Sequence, residues 1–403
     1  MNDTADSGAR RVSDEVVMAE AIHLAKRGRY SADPNPCVGC VLVRDGRPVG
    51  QGWHRRAGEP HAERNALAQA GEAARGATAY VTLEPCCHHG RTPPCTDALI
   101  AAGVTRVVCA MADPNPLVAG KGIARLREAG IEVKTGVLED LARALNPGFI
   151  KRMEQGRPFV RCKLAASLDG RTAMASGESQ WISSTASRRE VQFWRAASSA
   201  ILTGIGTVLA DDPSLNVRLS ADEVPELDPL DRMEMELELD LELKPEPGVP
   251  LRQPLRIVVD SHWRMPLEAR MLTLPGETLV VGVDDAPARM DALAAAGALV
   301  YRCPQREGRV DLAALMGELA RRDVNELLLE TGATLAGAML AAGLIDEIVL
   351  YQAPHLMGDA GRGLFHLPTV TTMAERIALE IVDVRRVGVD LRVRARPVMT
   401  RAG

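Results

Sequence analysis

The feature that most constrains the fold of this 403-residue chain is a pair of short segments that together hold the ligands of a metal ion. Residues 61–63 read HAE, and residues 85–95 read PCCHHGRTPPC. One histidine and two cysteines leave the fourth position of tetrahedral zinc for water, as in catalytic zinc sites. The fold must therefore bring the two segments to one pocket.

His61, Cys86 and Cys95 are the predicted ligands of one Zn²⁺ per chain. His61 opens a predicted helix, and Cys95 follows a Pro-Pro pair that favours the start of another helix. The positive ends of both helices would stabilise thiolate and hydroxide. Glu63 lies two residues from His61, close enough to take a proton from the water and pass it to a leaving nitrogen.

Two alternatives stay open for this cluster. Cys87 could itself be a zinc ligand. A closed site that only stabilises the fold would need a fourth ligand from Cys87, His88 or His89, and it would leave Glu63 without a role.

The composition indicates a two-domain enzyme that acts on small molecules. A chain of this length with 46% hydrophobic residues can form two cores, and its net charge of −5 argues against a nucleic-acid partner. No signal peptide or bilayer-spanning run is recognisable, so we expect a cytoplasmic protein. The eight cysteines are irregularly spaced, as reduced thiols are. Cys37 and Cys40 are interpreted as buried thiols of one strand, whose side chains point to opposite faces.

Strand and helix patterns alternate along the chain and predict two α/β domains. After a disordered tail at residues 1–12, the first domain spans residues 13–148, with a helix capped by Ser13 and a hairpin at Asp45-Gly46. A linker at 149–158 leads to the second domain at 159–400. The acidic stretch at about 220–250 is predicted to be a partly disordered surface insertion, with an amphipathic strand as the alternative.

The second domain carries one recognisable phosphate cradle. No G-x-G-x-x-G follows its first strand, but Glu330 to Gly337 reads ETGATLAG between a predicted strand and a predicted helix. A helix N-terminus in this position can bind pyrophosphate.

The general zinc-deaminase signature is H-x-E followed by P-C-x-x-C, whereas the two thiols here are nine positions apart. With NPCVGC at 35–40, HAE at 61–63 and TLEPCCHHGRTPPC at 82–95, the chain resembles the bifunctional deaminase/reductase family of riboflavin biosynthesis, whose pattern includes this long spacing. Further matches are DPNPLVAG at 113–120, KLAASLDG at 163–170, GESQWI at 177–182 and TVLADDP at 207–213. The resemblance covers nearly everything except the first dozen residues and the acidic insertion.

The resemblance implies an α/β chain: a cytidine-deaminase-like three-layer α/β/α domain followed by a dihydrofolate-reductase-like α/β domain. The first domain would hydrolyse the 2-amino group of 2,5-diamino-6-(5-phosphoribosylamino)pyrimidin-4(3H)-one. The second would reduce the ribosyl group of the product to ribityl with NADPH. The expected partners are thus small phosphorylated pyrimidines, with no nucleic acid and no membrane, and analogy with related folds suggests a homo-oligomer.

The resemblance also assigns residues. The implied contacts of the deaminase substrate are Asn35, His54, His88 and Arg91. The implied contacts of NADPH are Ala165, Trp181, Thr207, Asp211, Ser261, Gly332, Ala333, Thr334 and Leu335. The implied contacts of the reductase substrate are Ser179, Arg195, Leu215, Arg218 and Glu330, with Lys163 as the catalytic residue beside the reacting carbon.

Plainer interpretations stay open for four of these residues. Asn35 could be a turn former and His54 a surface histidine. Arg195 could be a solvated helix residue, and Trp181 could belong to the core. Two further functions are also open: a zinc deaminase of nucleobases or RNA with an unrelated second domain, and a zinc-stabilised regulatory module that senses NADPH.

Overall fold

The computed structural model describes residues 13–88, 93–220 and 251–398. Its chain divides into two compact units, Met1–Gln155 and Gly156–Gly403. The predicted tail at 1–12, Arg91 and nearly all of the predicted insertion lie outside the described residues. Within the described ranges, no helix has both the length and the apolar character needed to cross a membrane.

The N-terminal unit is built on a five-stranded sheet. Its strands are β1 (Gly39–Arg44), β2 (Arg47–Trp53), β3 (Thr78–Val81), β4 (Arg106–Cys109) and β5 (Glu132–Thr135). Their order is β2-β1-β3-β4-β5, and β1 runs antiparallel to both of its neighbours. The remaining four strands run in one direction. β3, β4 and β5 pair in parallel, and β2 runs the same way because β1 is antiparallel to both β2 and β3. The carboxyl ends of β2, β3 and β4 therefore lie at one edge.

Six helices accompany this sheet in the described part of the unit. They are α1 (Asp14–Lys26), α2 (Ala62–Ala70), α3 (Cys95–Ala101), α4 (Lys121–Glu128), α5 (Glu139–Leu145) and α6 (Pro147–Gln155). The predicted cap of α1 is confirmed, because the Ser13 side chain accepts a hydrogen bond from Val16 N at 3.3 Å. The predicted hairpin is confirmed too, with Asp45 and Gly46 both at positive φ.

The predicted linker differs from the structure, because α6 occupies most of residues 149–158. Proline is well tolerated at the first helical position, so Pro147 begins this helix instead of forming a turn. Gly156, with φ of 67°, ends it. Gly156 is also the first residue of the second compact unit.

Glycines allow two helices to pack directly on opposite faces of the sheet. A Cβ atom on Gly39 would collide with the backbone of α1, and one on Gly52 would collide with the backbone of α2. The face of α2 toward the sheet consists of alanines, whose small side chains permit the same close approach. The start of α2 is thereby fixed beside the carboxyl end of β2.

The C-terminal unit contains a nine-stranded sheet and two small ribbons. The sheet strands are β6 (Phe159–Ser167), β8 (Ala200–Gly204), β9 (Leu255–Val259), β10 (Thr278–Gly282), β11 (Leu299–Arg302), β14 (Glu326–Leu329), β15 (Glu347–Ala353), β17 (Leu379–Val387) and β18 (Asp390–Pro397). The ribbons pair β7 (Arg171–Ala173) with β16 (Arg362–Gly363), and β12 (Gln305–Arg306) with β13 (Arg309–Val310).

The sheet order is β11-β10-β9-β8-β14-β6-β15-β18-β17. The first seven strands are parallel, and β18 and β17 complete the sheet as an antiparallel hairpin. The helices are α7 (Thr185–Ala197), α8 (Ile205–Asp211), α9 (Pro287–Ala295), α10 (Leu312–Arg321) and α11 (Ala333–Ala341). Central strands such as β10 are buried along their whole length, as in sheets covered on both faces.

A buried network of charges links four neighbouring strands, β14, β6, β15 and β18. Arg161 bonds Glu347 at 2.6 Å and Glu326 at 2.7 Å, and Arg394 bonds Glu347 at 2.7 Å. Trp194 of α7 covers the network, with its ring 4.6 Å from the Arg161 guanidinium. Burial alone would raise the pKa of Glu347, but the two arginines lower it to about 2.

Glu347→Gln should destabilise the C-terminal unit by about 3–5 kcal/mol, because it leaves buried arginine charge without compensation. Urea unfolding of the full chain, followed by tryptophan fluorescence, measures the change, since Trp181, Trp194 and Trp263 all lie in this unit. Glu380→Gln, at an exposed position of β17, is the matched control and should change the unfolding free energy by less than about 0.5 kcal/mol. Equal effects of the two variants would contradict the stabilising role of Glu347 in this network.

The same network predicts a pH dependence. Because the folded pKa of Glu347 lies below its ordinary 4.5, its stabilising contribution is complete above about pH 4.5 and is lost as the pH falls toward 2. Urea midpoints measured between pH 6 and pH 2.5 should therefore fall less steeply in Glu347→Gln than in the wild type. Parallel pH profiles would exclude this contribution.

Candidate active sites

Three predicted metal ligands converge in the N-terminal unit. His61 caps α2, Cys86 follows β3, and Cys95 is the first residue of α3. The His61 Nδ1 atom lies 3.6 Å from Cys86 Sγ and 3.4 Å from Cys95 Sγ, and the three donor atoms lie within 4.8 Å of one another. Tetrahedral zinc, with bonds of about 2.0 Å to nitrogen and about 2.3 Å to sulfur, separates these atoms by about 3.6 Å. The cluster therefore fits Zn²⁺.

The electrostatics of the cluster also suit a cation. Cys86 Sγ accepts hydrogen bonds from the Cys95 side of the pocket, including the Cys95 backbone N at 3.4 Å. These bonds lower the pKa of Cys86 to about 4, with the nearby His61 contributing in the same direction. The Cys86 sulfur thus lies at the start of α3, where the helix dipole favours negative charge.

Glu63 enters this pocket from the first turn of α2. Its side chain is only 3% exposed, and burial raises its pKa. It hydrogen-bonds the Cys95 thiol but does not belong to the group of donors. A buried carboxyl group beside the three donors of a metal site is the arrangement that proton transfer requires.

The alternatives for the cluster find no support among the described residues. Cys87 is not part of the donor group, and no fourth histidine, cysteine or carboxylate joins it within residues 13–88 and 93–220. His89, which the closed-site alternative also named, lies outside the described residues. Cys40 is fully buried as predicted, but Cys37 is partly exposed. The prediction for Cys37 was wrong because β1 begins only at Gly39, and the Cys37 amide instead donates to Asn146 Oδ1 at 2.7 Å.

The predicted substrate contacts Asn35 and His54 lie beside the cluster. The His54 ring is 5.1 Å from the His61 ring, and only 2% of the residue is exposed, so the surface interpretation is wrong. Asn35 Nδ2 donates to His54 Nε2 at 3.0 Å, and His54 Nδ1 donates to the Pro60 carbonyl at 3.3 Å. These bonds fix one neutral tautomer, and burial lowers the pKa of His54 accordingly.

His88, the other described contact, has a buried Nδ1 atom without a hydrogen-bond partner among the described residues. Such an atom requires a partner, and a bound substrate can provide one. Arg91 lies outside the described residues.

Sequence reasoning missed the role of Glu84, which precedes Pro85 in the second metal segment. Its buried carboxylate accepts hydrogen bonds from three backbone amides, those of Asp113, Gly120 and Ile123, at 2.9 to 3.1 Å. The signal for this role in the sequence was an acidic residue close after an apolar strand, where burial requires hydrogen-bond partners. Glu84 holds the segment between β4 and α4 against the metal loop.

The second candidate site lies at the carboxyl edge of the large sheet. Arg195 of α7 donates to both oxygens of Glu330, at 2.6 and 2.9 Å, and to the Asn216 carbonyl at 3.1 Å. Arg195 is buried, so its interpretation as a solvated residue is wrong. Lys163 of β6 is close enough for its charge to interact with both partners; burial lowers its pKa, and Glu330 opposes this shift.

The other predicted substrate residues, Arg218, Leu215 and Ser179, differ in exposure and conformation. Arg218 is exposed, with its Nη1 bonded to Asn216 Oδ1 at 3.3 Å, and its charge interacts with Arg195 and Glu330. Leu215 is buried in the left-handed region at φ 42°, a strained conformation for leucine. Ser179 is partly exposed in the segment after β7.

The predicted NADPH residues lie along the same edge. Gly332 caps α11 as predicted, and a Cβ atom there would meet no neighbour within 4 Å, so the backbone is open to a ligand. A cavity of about 400 Å³ lies at this end of α11, lined in part by Ala333 and Thr334. The edge is thus open and of a size that fits a dinucleotide phosphate group.

The remaining predicted contacts occupy neighbouring strand ends. Ala165 is on β6 and Ser261 follows β9, while Thr207 and Asp211 are on α8. Trp181 is 70% exposed and stacks on Arg188, with 4.7 Å between the guanidinium and the ring, so the interpretation as a core residue is wrong.

Family models match both halves of the chain. A model of the cytidine and deoxycytidylate deaminase zinc-binding region matches residues 11–111, and a model of the RibD C-terminal domain matches residues 158–393. These matches confirm the predicted fold class. The alternatives of a deaminase with an unrelated second domain and of a non-enzymatic sensor are therefore wrong.

Known proteins resemble nearly the whole chain. The riboflavin biosynthesis protein RibD of Escherichia coli is 51% identical over 380 residues, covering 94% of this chain and 98% of the relative. The structure of Acinetobacter baumannii RibD (form 2) is 46% identical, with a TM-score of 0.82 over 96% of this chain and 99% of that one. A deaminase/reductase from Thermotoga maritima is 31% identical, with a TM-score of 0.78 and the same coverage. The chain therefore belongs to the RibD family of bifunctional deaminase/reductases of riboflavin biosynthesis.

Proposed function

We propose that the N-terminal unit hydrolyses the 2-amino group of 2,5-diamino-6-(5-phosphoribosylamino)pyrimidin-4(3H)-one, and that the C-terminal unit reduces the ribosyl group of the product with NADPH. The observation that carries the proposal is the buried Glu63 beside the His61, Cys86 and Cys95 donors. The name of the Thermotoga relative, a diaminohydroxyphosphoribosylaminopyrimidine deaminase and 5-amino-6-(5-phosphoribosylamino)uracil reductase, supports the substrate.

In the deaminase unit, His61, Cys86 and Cys95 would hold Zn²⁺, and the bound ion would act as a Lewis acid that activates water. Glu63 accepts a proton from the attacking water and donates it to the exocyclic nitrogen. Water adds to C2 of the pyrimidine, the bond from C2 to the amino group breaks, and ammonia leaves. The hydrogen bond to the neutral His54 fixes the Asn35 amide, which orients the ring through its second N–H and its carbonyl oxygen.

In the reductase unit, NADPH supplies the hydride that the ribose carbon accepts. Lys163 lies beside that carbon, and the bidentate pair of Arg195 with Glu330 holds the pocket in shape. Arg195 is already committed to Glu330, so Arg218 is the arginine that binds the 5-phosphate.

Two further expectations stay predictions. The exposed apolar side chains of β17, an edge strand, fit homo-oligomeric assembly. None of the eight cysteines, all of them described, forms a disulfide, which fits a cytoplasmic location.

Glu63→Gln should lower ammonia release from the diaminopyrimidine phosphate at least about 100-fold, because it removes the proton carrier. The variant should keep its zinc, measured by elemental analysis, and should still oxidise NADPH with the deaminated intermediate. Glu72→Gln, an exposed acid just after α2, is the matched control. Undiminished ammonia release by Glu63→Gln would sink the mechanism.

Lys163→Ala should abolish reduction and spare deamination, because the two pockets use separate residues. Mass analysis of products formed with and without NADPH distinguishes the steps: the variant should accumulate the deaminated, unreduced intermediate. Loss of both activities in a folded variant would refute two independent sites.

A further inference from the structure

The cavity at the start of α11 is lined by basic side chains that no sequence motif indicates. Arg309 reaches it from β13 and Arg362 from β16, and His366 follows on the chain after β16. Predicted NADPH residues Ala333 and Thr334 complete this part of the wall. Two separate segments, β13 and the stretch from β16 to His366, thus deliver basic groups to one helix N-terminus.

The two arginines of this cavity lack acidic partners, because within the described ranges neither Arg309 nor Arg362 forms an ion pair. Arg306 stands directly opposite Arg309 in the β12–β13 ribbon, and like charges in this register repel each other. The N-terminus of α11 adds further positive potential. A bound anion would relieve this repulsion.

Arg309 and Arg362 lie at different positions along the sheet edge, which indicates different roles for them. Lys163, beside the reacting carbon, is on β6, and α11 follows the adjacent β14. Arg362 pairs with Ala173 of β7, the strand that follows β6. Arg309 is in the ribbon that reaches Ser261 after β9, because Val310 N donates to Ser261 Oγ at 3.3 Å. Arg309 is therefore on the side of α11 that faces away from the chemistry.

We propose that Arg309 binds the 2′-phosphate of NADPH, while Arg362 and the N-terminus of α11 bind the pyrophosphate. A dinucleotide with its nicotinamide near Lys163 and its pyrophosphate at α11 places its adenosine end toward β9 and Arg309. Arginine suits a phosphate monoester because its planar guanidinium can form two parallel bonds. This inference rests on the proposed NADPH-dependent reduction and makes Arg309 its cofactor-specificity residue.

Calorimetric titration of the full chain with NADPH and with NADH tests the assignment. Arg309→Ala should weaken NADPH binding about 10- to 100-fold, the effect of losing a charge-assisted contact, and should change NADH binding less than about twofold. Arg362→Ala should weaken both nucleotides by similar factors, because both contain the pyrophosphate. Arg386→Ala, an exposed arginine on β17 at the opposite edge of the sheet, should change neither.

Arg309→Lys provides a second variant, which should keep part of the preference because it retains the charge but not the paired bonds. Equal weakening of both nucleotides by Arg309→Ala, or unchanged NADPH binding, would overturn the inference while leaving the reductase function intact. A wild-type chain that binds neither nucleotide would overturn the proposed reduction itself.

Discussion

Strands that run in the same direction place their carboxyl ends at one edge of a sheet, and both candidate sites depend on this constraint. In the N-terminal unit the metal ligands follow β2 and β3 at that edge. In the C-terminal unit the same edge holds Lys163 of β6, Glu330 after β14 and Ser261 after β9. Residues far apart in sequence therefore meet without interrupting the apolar cores beneath them.

Burial of charge is the second constraint, because an isolated buried ion costs several kcal/mol. The structure meets it by pairing. Glu330 receives two bonds from Arg195, and Glu347 lies between Arg161 and Arg394. Structural and functional pairs thus follow the same rule, but they differ in location: the Glu347 network joins strands below the α7 helix, whereas the Glu330 pair lies at the open edge.

The sequence predicted those features whose cause is local. A capping serine, an Asp-Gly turn and a glycine before α11 each determine the conformation of a few residues, and the structure contains all three. The meeting of His61, Cys86 and Cys95 was predictable because zinc chemistry restricts the combination of ligands. The helix α6 was missed because its Pro147-Gly148 start resembles a turn. The cationic cavity was missed because its arginines come from segments that only tertiary folding brings together.

The hydrogen bonds of Glu84 have a consequence for how the deaminase pocket responds to change. One carboxylate fastens the stretch from Asp113 to Ile123 to the loop that carries Cys86, and the Pro85 carbonyl lies where a side chain at position 122 would be. Glu84 and Pro85 therefore tie the Asp113 stretch to the residues directly before Cys86. We expect a substitution that disrupts these contacts in the Asp113 stretch to move Pro85, and with it the adjacent ligand Cys86, without touching the metal pocket directly.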